Sequence, residues 1–341
     1  MAEILIIRLK SIGDVAMTIP VIYSAAKANP ADSFTVLTQD FLLPLFLNRP
    51  PNVKLIGIDL KTEEKGLRGF LQFARTLARY RYDMVLDLHF VLRTRIIDWI
   101  FRLKGRKVFV LDKMRREQKR LTRKPPKDIT PLPDMVTRYM DVFFDAGIFF
   151  NKTFTSLYDE QPPEKTVLPG IADKKDGRWV GIAPFAGHGE KVYPPEKMEQ
   201  VVETLSQHEG ISLFLFGAKG DEEAVLNAWE KRYAHTQNVA GRYSLEQELA
   251  LISRLDVLIC MDSANMHFAS LVGAKAISIW GATHPYAGFY GYGQAPELAV
   301  QTKLSCRPCS VFGKKPCYRG DRACLTHIDP ETVVRKCLSV L

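Results

Sequence analysis

Two α/β domains, each a doubly wound parallel sheet with helices on both faces, are the fold this chain predicts, and three observations predict it. Short, almost continuous apolar runs alternate with amphipathic stretches along the whole sequence, the pattern of strands buried on both faces. A proline- and charge-rich interruption near the middle separates two copies of that rhythm. The length of 341 residues exceeds the needs of one ordinary core and suits two domains.

In chain order, the first half offers the strands EILIIR (3–8), SFTVLT (33–38), VKLIGI (53–58), DMVLDL (83–88) and RKVFVL (106–111). The stretch QPPEKTVLPGIADKKDGR (161–178) then brings three prolines, two glycines and many charges without a long apolar period, and reads as the link. The second half offers WVGIAP (179–184), SLFLFG (212–217), DVLICM (256–261), AISIW (276–280) and ELAVQ (297–301). The expected division is residues 1–165, a linker at 166–177 and residues 178–341, with the last helix free to pack back on the first domain. Open parallel sheets bind ligands outside the carboxyl ends of their strands, so a cleft faced by both sheets is the expected site.

Hydrophobic residues make up 46% and charged residues 25%, the balance of a globular protein. The N-terminal MAEILIIRLKSIGDV has no basic stretch followed by an apolar one, and no run approaches the roughly 20 apolar residues of a membrane span. A cytoplasmic protein with at most peripheral membrane contact is expected. Between Arg102 and Lys127 stand twelve Lys/Arg against two Asp/Glu, so this one segment carries the whole net charge of +9. A patch of that kind suits an anionic glycolipid or membrane surface, or else is a solvated loop. Nucleic acid is disfavoured because the segment lacks interleaved aromatic residues.

Four segments carry chemistry. Ser11-Ile12-Gly13-Asp14 turns from the first strand into a helix; Asp14 reads as a general base or, on frequency alone, as a helix-capping carboxylate. The loop GHGEKVYPPEK (187–197) offers Lys191 to a phosphate, or to solvent. In FGAKGDEE (216–223), Asp221 and Glu222 open a helix and suit either its dipole or a ribose diol. In CMDSANMHFASLVGAKAISIWGATHP (260–285), Asp262, Ser263 and Ala264 turn a buried strand into a helix whose free N–H groups suit a diphosphate. His267 lies in its first turn, where a structural histidine is the commoner reading. Neither a dinucleotide fingerprint nor a P-loop is present, which disfavours a dehydrogenase or an NTPase. Cys306, Cys309, Cys317 and Cys324 are spaced compactly enough for one structural zinc, with reduced or partly disulfide-bonded thiols as the alternative.

These segments, in this order and together with RLKSIGDVAMTIPVI (8–22), YDMVLDLH (82–89) and the cysteine-bearing tail CRPCSVFGKKPCYRGDRACLTHIDPETV (306–333), resemble the ADP-heptose:lipopolysaccharide heptosyltransferases of glycosyltransferase family 9. The resemblance implies a GT-B architecture, two Rossmann-like domains facing a central cleft, and an inverting heptose transfer that needs no catalytic metal or other cofactor. It implies an ADP-sugar donor, an inner-core acceptor such as Kdo-lipid A or heptose, and work at the cytoplasmic face of the inner membrane. By position, Asp14 matches the family's base and Lys191 its phosphate-binding lysine. Asp221, Glu222, Asp262, Ser263, Ala264 and His267 fall on the donor side. Ser11, Gly13, His89, Arg93, Arg115, Arg116 and Arg120 are expected on the acceptor side. The chain departs from the family pattern at Ala264, usually Gly, at Val192-Tyr193, where Trp is common, and at His89, where many members carry Gln. Two other readings fit the same residues: a transferase of this architecture using a UDP or GDP sugar, and a non-catalytic glycolipid- or nucleotide-binding relative.

Overall fold

The computed structural model describes residues 1–61, 66–127, 129–159, 163, 168–171 and 175–341. They form two compact units, one of Met1–Lys113 with Met135–Leu157 and the other of Met114–Asp134 with Tyr158–Leu341.

The first unit runs β1 (Glu3–Ile7), α1 (Ile12–Ala16), α2 (Ile19–Ala28), β2 (Ser33–Gln39), β3 (Val53–Ile58), α3 (Gly66–Leu77), β4 (Met84–Asp87), α4 (Leu92–Leu103) and β5 (Lys107–Val110). The helix α5 (Arg115–Leu121) leaves for the second unit, and α6 (Met135–Asp145) returns to the first. All five strands pair in parallel, in the order β3-β2-β1-β4-β5. Ile4, Leu5, Ile6 and Ile7 are wholly buried, which is why the central strand reads as an unbroken apolar run. Proline at the start of α2 sets the helical φ where no N–H is needed. The chain winds outward from β1 to β3 and then reverses to β4, so the gap beyond the carboxyl ends of β1 and β4 is the switch point of this sheet.

The second unit runs β6 (Arg178–Ala183), α7 (Pro195–Ser206), β7 (Ile211–Leu215), α8 (Asp221–Arg232), β8 (Thr236–Asn238), α9 (Leu245–Ser253), β9 (Val257–Met261), α10 (Ala264–Val272), β10 (Lys275–Trp280), β11 (Ala299–Gln301), α11 (Ala323–Thr326) and α12 (Pro330–Leu338). Its six strands are again parallel, ordered β11-β10-β9-β6-β7-β8, with the reversal between β6 and β9. Val180, Ile182, Val257, Ile259, Ile277 and Ile279 supply the sheet's share of the core.

The expected α/β fold on two parallel sheets is the one observed. Two particulars differ, and the surroundings of the last helix are defined. The short polar strand β8 was not among the expected strands. Residues 114–134 pack with the second unit, because Lys127 Nζ donates to the carbonyls of Cys306 and Pro308, both at 2.7 Å, and Leu132 N to that of Tyr286 at 2.9 Å. The last helix, α12, belongs to the core of the second unit: Val333, Val334 and Cys337 are buried in one cluster with Val201, Val202 and Leu205. Of the expected linker, residues 166, 167 and 172–174 lie outside the described residues.

Candidate functional site

Each sheet gathers its chemistry at its own switch point. In the first, β1 is followed directly by Arg8, a charged residue only 6% exposed that no reading of the turn had singled out. Its Nη1 donates to the Leu88 carbonyl beyond β4 at 2.8 Å, and its Nη2 pairs with Asp14 Oδ2. Asp14 sits in the first turn of α1 but does not cap it; Arg8 holds one carboxylate oxygen, and the other accepts no hydrogen bond from the described residues. The Tyr139 ring of α6 lies under the Arg8 guanidinium at 5.9 Å, and its hydroxyl reaches the Asp14 carbonyl at 3.4 Å. Ser11 precedes α1 with φ 68°, a left-handed conformation that is unusual for a side-chain-bearing residue and clusters at functional turns. Gly13 follows it, half-buried.

At the end of β4, Asp87 is wholly buried, and its Oδ1 accepts the N–H groups of His89 and Phe90, both at 2.8 Å. This shapes a turn in which Phe90 has φ 44°. Asp98 of α4 faces Asp87; burial and then the Asp87 carboxyl push it up to about 8, and burial raises Asp87 as well. Asp87 Oδ2 and both Asp98 oxygens are buried without a donor among the described residues, which is what two carboxyls sharing one proton look like before that proton is placed. His89 is 5% exposed and is pushed down to about 2 by burial, then by Arg8, Lys113 and Lys10. It is a neutral imidazole, not a cation held out for an anionic acceptor. Arg93 stands exposed at the start of α4.

In the second unit, the loops after β6 and β9 meet. Lys191, in a single 3-10 turn, places Nζ 2.8 Å from Asp262 Oδ2 and 3.0 Å from the Asp262 carbonyl. The pair is largely buried, at 16% and 5% side-chain exposure. The cysteine-bearing tail holds this loop in place. Arg322 donates to the carbonyls of Gly189 and Val192. Gly313, with φ 71°, lies so close to the Lys191 stem that a Cβ would come within 2.7 Å of Cγ. Beyond Asp262, Ser263 begins α10, and its buried Oγ has no hydrogen-bond partner among the described residues. Ala264 and His267 occupy the first turn, with His267 6% exposed. Glu222 closes the Gly217–Lys219 turn by accepting Ala218 N at 2.8 Å, and Glu223 accepts Gly220 N at 3.4 Å. Asp221 is left exposed at the start of α8.

The remaining expected residues are dispersed. Arg115, Arg116 and Arg120 lie on α5, in the second unit, whereas Ser11, Gly13, His89 and Arg93 belong to the first. The four tail cysteines line one small cavity together with Arg307 and Tyr318 and are free thiols. Among the described residues, no three Cys, His, Asp or Glu side chains are placed to hold a metal ion, so the spacing that suggested a zinc cage does not deliver one ready-made. Burial raises the Cys309 thiol and pushes that of Cys324 up to about 11, which favours the protonated form.

The chain resembles known proteins along most of its length. The model of glycosyltransferase family 9 (heptosyltransferase) matches residues 70–315. The lipopolysaccharide core heptosyltransferase OpsX of Haemophilus influenzae is 24% identical over 281 residues, covering 82% of this chain and 79% of that protein. In fold, a glycosyl transferase family 9 structure from Veillonella parvula matches with a TM-score of 0.75 at 20% identity, covering 99% of this chain and 97% of the other. The ADP-heptose lipopolysaccharide heptosyltransferase II of Escherichia coli matches with a TM-score of 0.72 at 18% identity, covering 99% and 98%.

Proposed function

The chain belongs to glycosyltransferase family 9 and is a glycosyltransferase, and from that premise we propose that it transfers a heptose from ADP-heptose to a sugar hydroxyl of the lipopolysaccharide inner core, with inversion at the anomeric carbon. The observation that carries this reading is the cluster at the second switch point: the Lys191–Asp262 pair beside a buried Ser263 hydroxyl, without a partner among the described residues, at the N-terminus of α10. Buried hydroxyls are rarely left unpaired, and a lysine, a hydroxyl and free helix N–H groups together suit a diphosphate.

In the proposed reaction, Asp14 accepts the proton of the acceptor hydroxyl as its oxygen attacks the anomeric carbon. The bond from that carbon to the diphosphate oxygen breaks, and the negative charge left on ADP is met by Lys191 and the N–H groups at the start of α10. Asp262 orients the lysine. The proposed chemistry routes no step through a metal ion, because a fixed ammonium and a helix dipole supply the positive charge. Asp221 is free to reach a ribose diol, whereas Glu222 has one oxygen committed to its own turn. On the acceptor side we assign Ser11, Gly13 and Arg93 to contacts around Asp14, and His89 to shaping the turn after β4. Arg115, Arg116 and Arg120 are assigned to anionic groups of the glycolipid. We place the protein on the cytoplasmic side of the inner membrane.

The test is transfer by the purified protein from ADP-heptose to Kdo-lipid A and to a heptose-bearing core, read by mass spectrometry, with the product's anomeric configuration read by NMR. Thermal stabilisation by ADP in preference to UDP and GDP is expected alongside. Transfer from a UDP or GDP sugar only, or retention of configuration, would overturn the reading.

A further inference from the structure

Helix α4 turns an unusual face to solvent. Its buried side is Thr94, Ile97, Asp98 and Phe101. On the opposite side, Leu92, Trp99 and Leu103 are 77%, 63% and 67% exposed, with half-buried Ile96 between them. The four positions are spaced by four, three and four residues, so they form one stripe down the helix. Cations border it: Arg95 and Arg102 along one edge, Arg93 and then Lys104 at the helix end along the other. The sole acid between residues 92 and 104 is Asp98, which is 2% exposed, so the outward face carries no negative charge. Tyr80, 61% exposed, lies near the same end of the helix, its ring 6.4 Å from Tyr82, which in turn packs edge-on against Phe101.

Ordinary surface helices reverse this arrangement and put polar residues opposite the core. An apolar stripe with tryptophan in it and arginines along both margins suits the boundary between lipid headgroups and acyl chains, where the ring and leucines sink and the cations meet phosphate. We propose that α4 lies flat on the surface of an anionic lipid bilayer, with Leu92, Trp99 and Leu103 inserted at the headgroup boundary. At twelve residues, about 18 Å long, the helix can lie on a bilayer but not cross it. The inference stands on the helix face alone and does not depend on which sugar is transferred. It also shifts attention from the middle of the basic run between Arg102 and Lys127 to its start: the part from Met114 onward belongs to the other unit, whereas the apolar anchor, Leu92 to Leu103, overlaps only the first residues of the run.

The protein supplies its own probe. Trp179, Trp229 and Trp280 are at most 3% exposed, so Trp99 is the one tryptophan open to solvent. The full chain is mixed with phosphatidylcholine vesicles, with or without phosphatidylglycerol, and followed by flotation and by tryptophan emission. Wild type is expected to float with the anionic vesicles, at least about tenfold more tightly than with the neutral ones, and its emission to shift to the blue. Leu103→Glu, at an exposed position that leaves folding intact, is expected to lose at least about tenfold in vesicle affinity and the blue shift with it. Failure to float, or flotation without any change in Trp99 emission, would overturn the proposal. So would a lipid-free dimer in sedimentation that Leu103→Glu dissociates, since a second copy of the chain would then be the occupant of this face.

Discussion

Lys191 and Asp262, 71 residues apart in sequence, form a largely buried ion pair with Nζ 2.8 Å from Oδ2, and a second bond from the same Nζ reaches the Asp262 carbonyl. The lysine is therefore fixed by two acceptors before any anion arrives, so little ordering remains to be done on binding. Lys191→Ala should lower kcat by about a hundredfold to a thousandfold, the range for removing one preorganised group facing a developing charge. Asp262→Asn should lose less activity but cost about 1–3 kcal/mol of stability, because the largely buried ammonium is left without its counter-charge. Urea unfolding of both variants checks the second outcome; equal stabilities would show that the pair contributes nothing.

Ser263 makes a prediction with opposite signs for the free and bound protein. Its buried Oγ lacks a partner among the described residues, so Ser263→Ala removes an unsatisfied polar group and should leave stability unchanged or raise it by up to about 1 kcal/mol. If that hydroxyl serves the diphosphate, the same change should weaken ADP binding about tenfold. Titration calorimetry with ADP and a melting curve without it provide the two readings. Loss of stability in the free protein would mean that the hydroxyl has a structural role.

Much of this arrangement was legible in the sequence, for definite physical reasons. Ile4 to Ile7 and Val257 to Met261 are buried on both faces, so their codes are unbroken apolar runs that cannot be mistaken for surface. Thr236–Asn238 is the contrary case: an edge strand of three polar residues, paired only with β7, has no pattern to read. The assignment of residues 114–134 to the second unit rests on Lys127 reaching carbonyls about 180 residues further on, information that no local window contains. Arg8 was open to discovery, because a charged residue directly after a buried strand must find a partner, and Asp14 is six residues away. Asp14 does not cap its helix because Ser11 occupies the cap position and Arg8 holds the Asp14 carboxylate.

Asp14→Asn tests the base without altering shape. If Asp14 takes the acceptor's proton, kcat should fall by about a hundredfold or more, while ADP affinity, which the proposed site assigns to Lys191 and the start of α10, should be unchanged. Arg8→Ala should be the more damaging change to folding, since it strips the Leu88 carbonyl and Asp14 of a shared donor in a site only 6% exposed. Full transfer activity in Asp14→Asn would remove the residue from the mechanism.

The buried carboxyl pair behind the first switch point predicts a dependence on pH. Asp98 is held near 8 by burial and by Asp87, against the opposing pull of Arg102 and Arg95, and its unfolded value is 3.8. Its proton is bound more tightly in the folded chain, so its contribution is fully present below about pH 4 and is lost as pH rises through about 8. His89 works at the other end: its folded value of about 2 lies below 6.5, so it weakens the fold as pH falls below that value. Asp98→Asn keeps a donor to Asp87 at every pH and leaves His89 in place, so the histidine drops out of the comparison. The stability of Asp98→Asn relative to wild type should therefore rise from about pH 5 to about pH 8 by more than about 1 kcal/mol. Urea unfolding at the two pH values measures it, and a difference that does not change with pH would mean that the two carboxyls share no proton.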